Sequence, residues 1–107
     1  MDIGTDILYI PRLEKIIKEN SNFIKKVYTS KEIEISNGKT EFFATRFVAK
    51  EAIIKATGGQ YDFKEIEILK EKSGKPVAKI ITDSSIIIDL SLSYDHDYAI
   101  AFCIIKK

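Results

Sequence analysis

If this chain does chemistry, carboxylates and lysines must carry it. It has one histidine and one cysteine, His96 and Cys103, far too few for a zinc cluster and poorly spaced for a nucleophile–base pair. The charged side chains that invite a chemical reading fall in two places. One is Asp6, an aspartate inside an otherwise apolar opening strand, where its type costs strand propensity. The other is the stretch Thr40–Gly59, TEFFATRFVAKEAIIKATGG, which carries Arg46, Lys50, Glu51 and Lys55. At about 100° per residue this stretch forms a helix with two apolar sectors. A broad one holds Phe42, Val48, Ala49, Ala52, Ile53 and Ala56, and a smaller one holds Phe43, Phe47 and Ile54. Arg46 with Lys50, and Glu51 with Lys55, lie between them. A helix enclosed on two sides puts some of its charges in crevices, where each needs a partner, a metal or a ligand. The pattern alone supports a structural reading equally: Lys50 reaching backbone, Glu51 pairing with Lys55, and Asp6 as an edge charge.

The elements that must position these residues follow from periodicity. Ile3–Ile10 reads as a first strand, and Pro11 opens a helix striped by Leu13, Ile16 and Ile17. Phe23, Ile24 and Val27 mark a short helical turn. Thr29-Ser30-Lys31-Glu32 is a capping box that starts another short helix. Thr40 is the predicted cap of the long helix and Gly58 its stop. Beyond it the period drops to two: strands at Ile66–Ile68, Val77–Ile81, Ile86–Ser93 and Tyr98–Ile105, with turns at Ser73–Pro76 and Tyr94–Asp97. Helices first and hairpins later predict an α+β fold, with an antiparallel sheet packed on the long central helix.

At 107 residues, 45% hydrophobic and 31% charged, the chain predicts a single domain spanning 1–107. A net charge of +1 makes no general case for nucleic acid, and no apolar run approaches a membrane span. With no basic-then-apolar leader at its start, the expected setting is cytoplasmic. Cys103 sits in an apolar alternation and reads as a buried, inert thiol. His96 between Asp95 and Asp97 reads as a solvated turn.

Three segments resemble the holo-acyl-carrier-protein synthase family of 4′-phosphopantetheinyl transferases. Gly4-Thr5-Asp6 with Arg12 is similar to its GxD…RI opening. Phe43–Ala52, followed by Lys55-Ala56 and Gly58, looks like its FAxRFxAKEAxxKAxG helix. Leu92-Ser93-Tyr94-Asp95, leading to Tyr98–Ala101, is close to its SxSH…YAxA ending. Val27–Glu32 and Gly74-Lys75-Pro76 also fit family positions, so the likeness spans nearly the whole chain.

The resemblance implies Mg²⁺-dependent transfer of phosphopantetheine from coenzyme A to a serine of apo acyl carrier protein, with release of adenosine 3′,5′-bisphosphate. It assigns Asp6 and Glu51 to the metal, and Asp6, Glu51 and Lys50 to catalysis. Arg46, Lys50, Lys55, Gly58, Ser93 and Tyr94 are its coenzyme A contacts; Arg12 and Lys15 meet the carrier protein. It also implies a homotrimer with coenzyme A between subunits. Tyr94 stands where the family carries histidine, Gly58-Gly59-Gln60 is a looser glycine-rich continuation, and the segment at Asp83-Ser84-Ser85 is short. These departures touch coenzyme A contacts more than the metal. They motivate an alternative, a relative that binds carrier or coenzyme A without efficient transfer. A third reading is a structural or interaction domain whose charged helix only supports the fold, and it is favoured if Asp6 and Glu51 lie too far apart to share an ion.

Overall fold

The computed structural model describes residues 1–107. Strand β1 (Asp2–Tyr9) turns directly into helix α1 (Ile10–Glu19), whose first turn holds Pro11 at no hydrogen-bond cost. Two short helices follow, α2 (Phe23–Val27) and α3 (Ser30–Ser36). The predicted capping box opens α3 in full. Thr29 Oγ1 accepts from the Glu32 amide, and the Thr29 amide donates to Glu32 Oε1 at 2.9 Å.

Helix α4 (Thr40–Ala56) is the centre of the molecule. Its cap position is Lys39, not the expected Thr40, and no side chain caps it. The reason lies upstream. Asn37 and Gly38 both adopt left-handed backbone, and the Gly38 amide bonds back to Ser36 Oγ, so the chain enters the helix one residue early. At the other end Gly58, with φ of 68°, lets its amide reach the Lys55 carbonyl, as the sequence predicts. Nine of the helix's residues are buried, from Phe43 through Ile53, and they include Arg46 and Lys50. The helix is enclosed around most of its circumference.

The strands divide into two sheets. A three-stranded antiparallel sheet has the order β1-β5-β4, with β4 at Ile87–Asp95 and β5 at Tyr98–Lys106. Strands β2 (Ile66–Lys70) and β3 (Pro76–Ile80) form a separate hairpin whose second strand packs beside β4. The expected Tyr94–Asp97 turn is tighter than predicted. Asp95 pairs with Tyr98, and His96 at φ 52° supplies the positive angle that a two-residue hairpin loop needs.

Gly4, Leu8, Ala99, Ala101 and Cys103 face α4, and Cys103 is a buried free thiol as expected. At Gly4 the missing side chain matters, because a Cβ there would run into the backbone carbonyl of Ala52. Its absence lets β1 lie directly on α4. The opposite sheet face leaves Ile3, Ile7, Tyr9, Tyr98, Ile100 and Phe102 exposed.

Candidate active site

Close seating of β1 on α4 brings Asp6, on the same strand face as Gly4, against Glu51 on the helix. Burial pushes the Glu51 carboxyl above its ordinary range. The nearby Asp6 charge pushes it further. Lys55, one helical turn beyond Glu51, moderates this rise, but its ammonium goes elsewhere. Lys55 Nζ donates to Asp6 Oδ1 at 2.8 Å and to the Thr5 carbonyl at 3.3 Å, so the Glu51–Lys55 pair read from helical spacing is replaced by a helix-to-strand bridge. The guanidinium of Arg12 on α1 is also felt at Glu51.

Two like-charged carboxylates held together ask for a cation, and both offer hard oxygen donors. No third histidine, cysteine or acidic side chain joins them. That donor set fits Mg²⁺, which typically takes one or two carboxylates and fills its octahedron with water and phosphate oxygens.

Lys50 does not join this pair. It neighbours Glu51 in sequence but points the other way, with its side chain 0% exposed. Its ammonium donates to Glu32 Oε1 at 2.7 Å, the Val27 carbonyl at 2.8 Å and the Phe63 carbonyl at 3.0 Å. All three protons are used. Placed so, its ammonium has no proton left to offer a phosphate. Burial lowers its pKa, and Glu32 opposes that shift. Glu32, in turn, accepts from the Thr29 and Ile68 amides, so this one pair ties α2, α3, α4, the Phe63–Glu65 turn and β2 together. In the sequence Glu32 is visible only as a capping residue, and Glu67 only as the solvent-facing member of a strand alternation. Glu67 is buried, accepting from Thr29 Oγ1 at 2.7 Å. The available signal for Glu32 is the lysine: a cation buried in mid-helix demands a carboxylate somewhere.

Arg46 differs from Lys50 in having room. It is buried, its guanidinium lies 4.1 Å over the Phe42 ring, and Nη1 donates to Thr45 Oγ1. Nε and Nη2 have no partner. Arg46 borders a cleft of about 750 Å³, whose walls include Thr45, Lys39, Pro76 and Tyr94. An unpaired buried guanidinium costs free energy unless something anionic meets it. Ser93, one residue from Tyr94 on β4, is on the opposite sheet face, paired across from Ile100, and does not line this cleft. Gly58 ends α4 beyond Lys55, and Arg12 and Lys15 are exposed on α1.

This arrangement agrees with what the chain is similar to. A family model described as the 4′-phosphopantetheinyl transferase superfamily matches residues 2–103. The chain belongs to that superfamily. Among curated members, a holo-[acyl-carrier-protein] synthase of Wolbachia from Drosophila simulans is 45% identical, covering 96% of this chain and 95% of its own. One from Clostridium tetani is 40% identical over 99% and 95%. Of solved structures, the Bacillus anthracis holo-(acyl-carrier-protein) synthase in complex with CoA (3′,5′-ADP) superposes with a TM-score of 0.86 at 32% identity, covering 97% and 94%. The Helicobacter pylori synthase in complex with coenzyme A gives 0.86 at 27% identity, over 97% and 99%. The chain is a phosphopantetheinyl transferase by family and fold, α+β as expected. The superfamily's general reaction, movement of a phosphopantetheine group, comes with that membership.

Proposed function

We propose that this phosphopantetheinyl transferase uses Mg²⁺ held by Asp6 and Glu51 to move 4′-phosphopantetheine from coenzyme A to a serine of apo acyl carrier protein. The observation that carries the reading is the Asp6–Glu51 juxtaposition beside the basic α1 helix. In the reaction the serine Oγ attacks the phosphorus bearing the pantetheine arm and gives up its proton to solvent. A new P–O bond forms as the bond to the nucleotide-side bridging oxygen breaks, releasing adenosine 3′,5′-bisphosphate. Bound Mg²⁺ supplies polarisation of the pyrophosphate and neutralises charge as the bond breaks.

The protein's own groups do the rest. Asp6 and Glu51 would hold the ion, and with it the reacting phosphates, beside β1 and α4. Lys55, on an exposed stem, reaches phosphate oxygens. Arg12 and Lys15 on α1 draw the acidic surface of the carrier toward the site. Arg46 offers Nε and Nη2 to an anionic group of coenzyme A, with Tyr94 on the facing wall.

Arg46 and Glu51 are five residues apart, hence about 140° around α4 and about 7.5 Å along it. A coenzyme A that met both charges would have to span two faces of one helix. Two copies of the chain, one giving the carboxylates and the other the Arg46 cleft, meet that demand. The apolar outer face of the β1-β5-β4 sheet supports such self-association, and we propose a homotrimer. No helix is long and apolar enough to cross a membrane, and the proposed setting is the cytoplasm.

The test is intact-mass analysis of apo carrier protein incubated with this protein, coenzyme A and Mg²⁺. Gain of one phosphopantetheine arm is expected. Binding of coenzyme A with no gain in mass would favour the non-transferring alternative that Tyr94 motivates.

A further inference from the structure

We infer that Lys55 is a built-in competitor of the divalent cation for the Asp6 carboxylate, so that cation and anionic substrate bind as a coupled pair. The inference rests on the metal reading above and concerns a residue which that reading gives only a phosphate contact. The geometry makes the competition specific. Lys55 Nζ sits 2.8 Å from Asp6 Oδ1, so it already occupies one of the two carboxylate oxygens that a metal shared with Glu51 has to draw on. The carboxylate is the fixed partner, its side chain only 13% exposed, whereas the Lys55 side chain is 60% exposed and anchored otherwise by one backbone carbonyl. Glu51 and Lys55 stand one turn apart on α4, so the ammonium has the metal position within its sweep.

The charges give the consequence. Asp6, Glu51 and Lys55 together sum to −1, and a divalent ion turns the group to +1. An ion alone must dislodge the ammonium or sit beside it. An ion arriving with a pyrophosphate brings the displaced ammonium its next partner, at the end of a stem already in solvent. By linkage, whatever factor the anion adds to metal affinity, the metal adds to anion affinity. Lys55 also keeps two adjacent carboxylates from facing each other unscreened.

Direct Mn²⁺ binding, followed by electron paramagnetic resonance of the free ion, tests this without any turnover. In the absence of coenzyme A, Lys55→Gln should bind Mn²⁺ about twofold to fivefold more tightly than the wild type, the range set by a part-exposed ion pair. Lys55→Arg, which keeps the charge, should bind like the wild type. The gap between Lys55→Gln and wild type should narrow with added KCl. Equal or weaker Mn²⁺ binding by Lys55→Gln overturns the competition while leaving the metal site standing. Asp6→Asn separates the two ideas: Mn²⁺ binding unchanged by Asp6→Asn would overturn the metal reading and this inference together.

Discussion

Glu51 carries an ionisation that the fold opposes, and this has a measurable sign. Its folded pKa is raised, chiefly by burial and then by Asp6, so the charged form costs stability at neutral pH. The cost is fully present above the raised value. It fades as pH falls through that value toward the ordinary carboxylate range. Without divalent cations, Glu51→Gln should therefore melt higher than wild type at pH 7, and the gap should close on acidification through that window. Calorimetric scans in EDTA measure this, and a lower melting temperature for Glu51→Gln at pH 7 would contradict it. If both carboxylates hold the ion as proposed, added Mg²⁺ should raise the wild-type melting temperature and leave Glu51→Gln unmoved. Transfer by Glu51→Gln should fall by a factor on the order of 10² to 10³, as expected when transition-state charge loses its neutralising group.

Helix α4 presents its chemistry on two sides and its structural polar group on a third. Lys50 and Glu51 are neighbours in sequence, yet one fastens the α2–α3 segment and the other faces β1. Breaking the buried pair from one side should be severe. Lys50→Met leaves Glu32 charged and uncompensated, at a cost of about 3–5 kcal/mol. Lys50→Met with Glu32→Gln should recover part of that loss, measured by urea unfolding. Single and double variants of equal stability would mean that Glu32 is not the group that needs the lysine. This division also shows what the sequence could reveal. The capping box, the glycine stop and the two-residue period after residue 60 are local, and they read correctly. The wheel correctly required partners for buried charges but could not name them. Glu32 lies 18 residues from Lys50, and Asp6 lies 49 from Lys55. The carboxylate pair is legible only through resemblance, because no spacing rule joins a strand residue to a helix residue about 45 positions away. Ser93 and Tyr94, adjacent in the sequence, are parted by strand alternation, which puts them on opposite sheet faces.

At the scale of the whole molecule, one sheet face packs on α4 while the other is apolar and bare. Tyr9 lies opposite Tyr98, with ring centroids 5.3 Å apart, and Ile7 lies opposite Ile100. If copies meet there, Ile100→Asp should reduce the light-scattering mass to that of the 12.2 kDa chain and weaken coenzyme A binding with it. A monomeric variant with undiminished coenzyme A affinity would show that the Arg46 cleft and the carboxylate pair do not need a second copy. The pairing of β1 with β5 also has a bearing on biosynthesis. The strand that holds Asp6 leaves the ribosome before every other element described, and its only sheet neighbour leaves after all of them. Helices and the β2-β3 hairpin have local partners and need not wait; β1 must. Until Tyr98–Lys106 has emerged, Asp6 has no sheet to hold it beside Glu51, so the nascent chain carries two carboxylates still apart while everything between the two strands is being made.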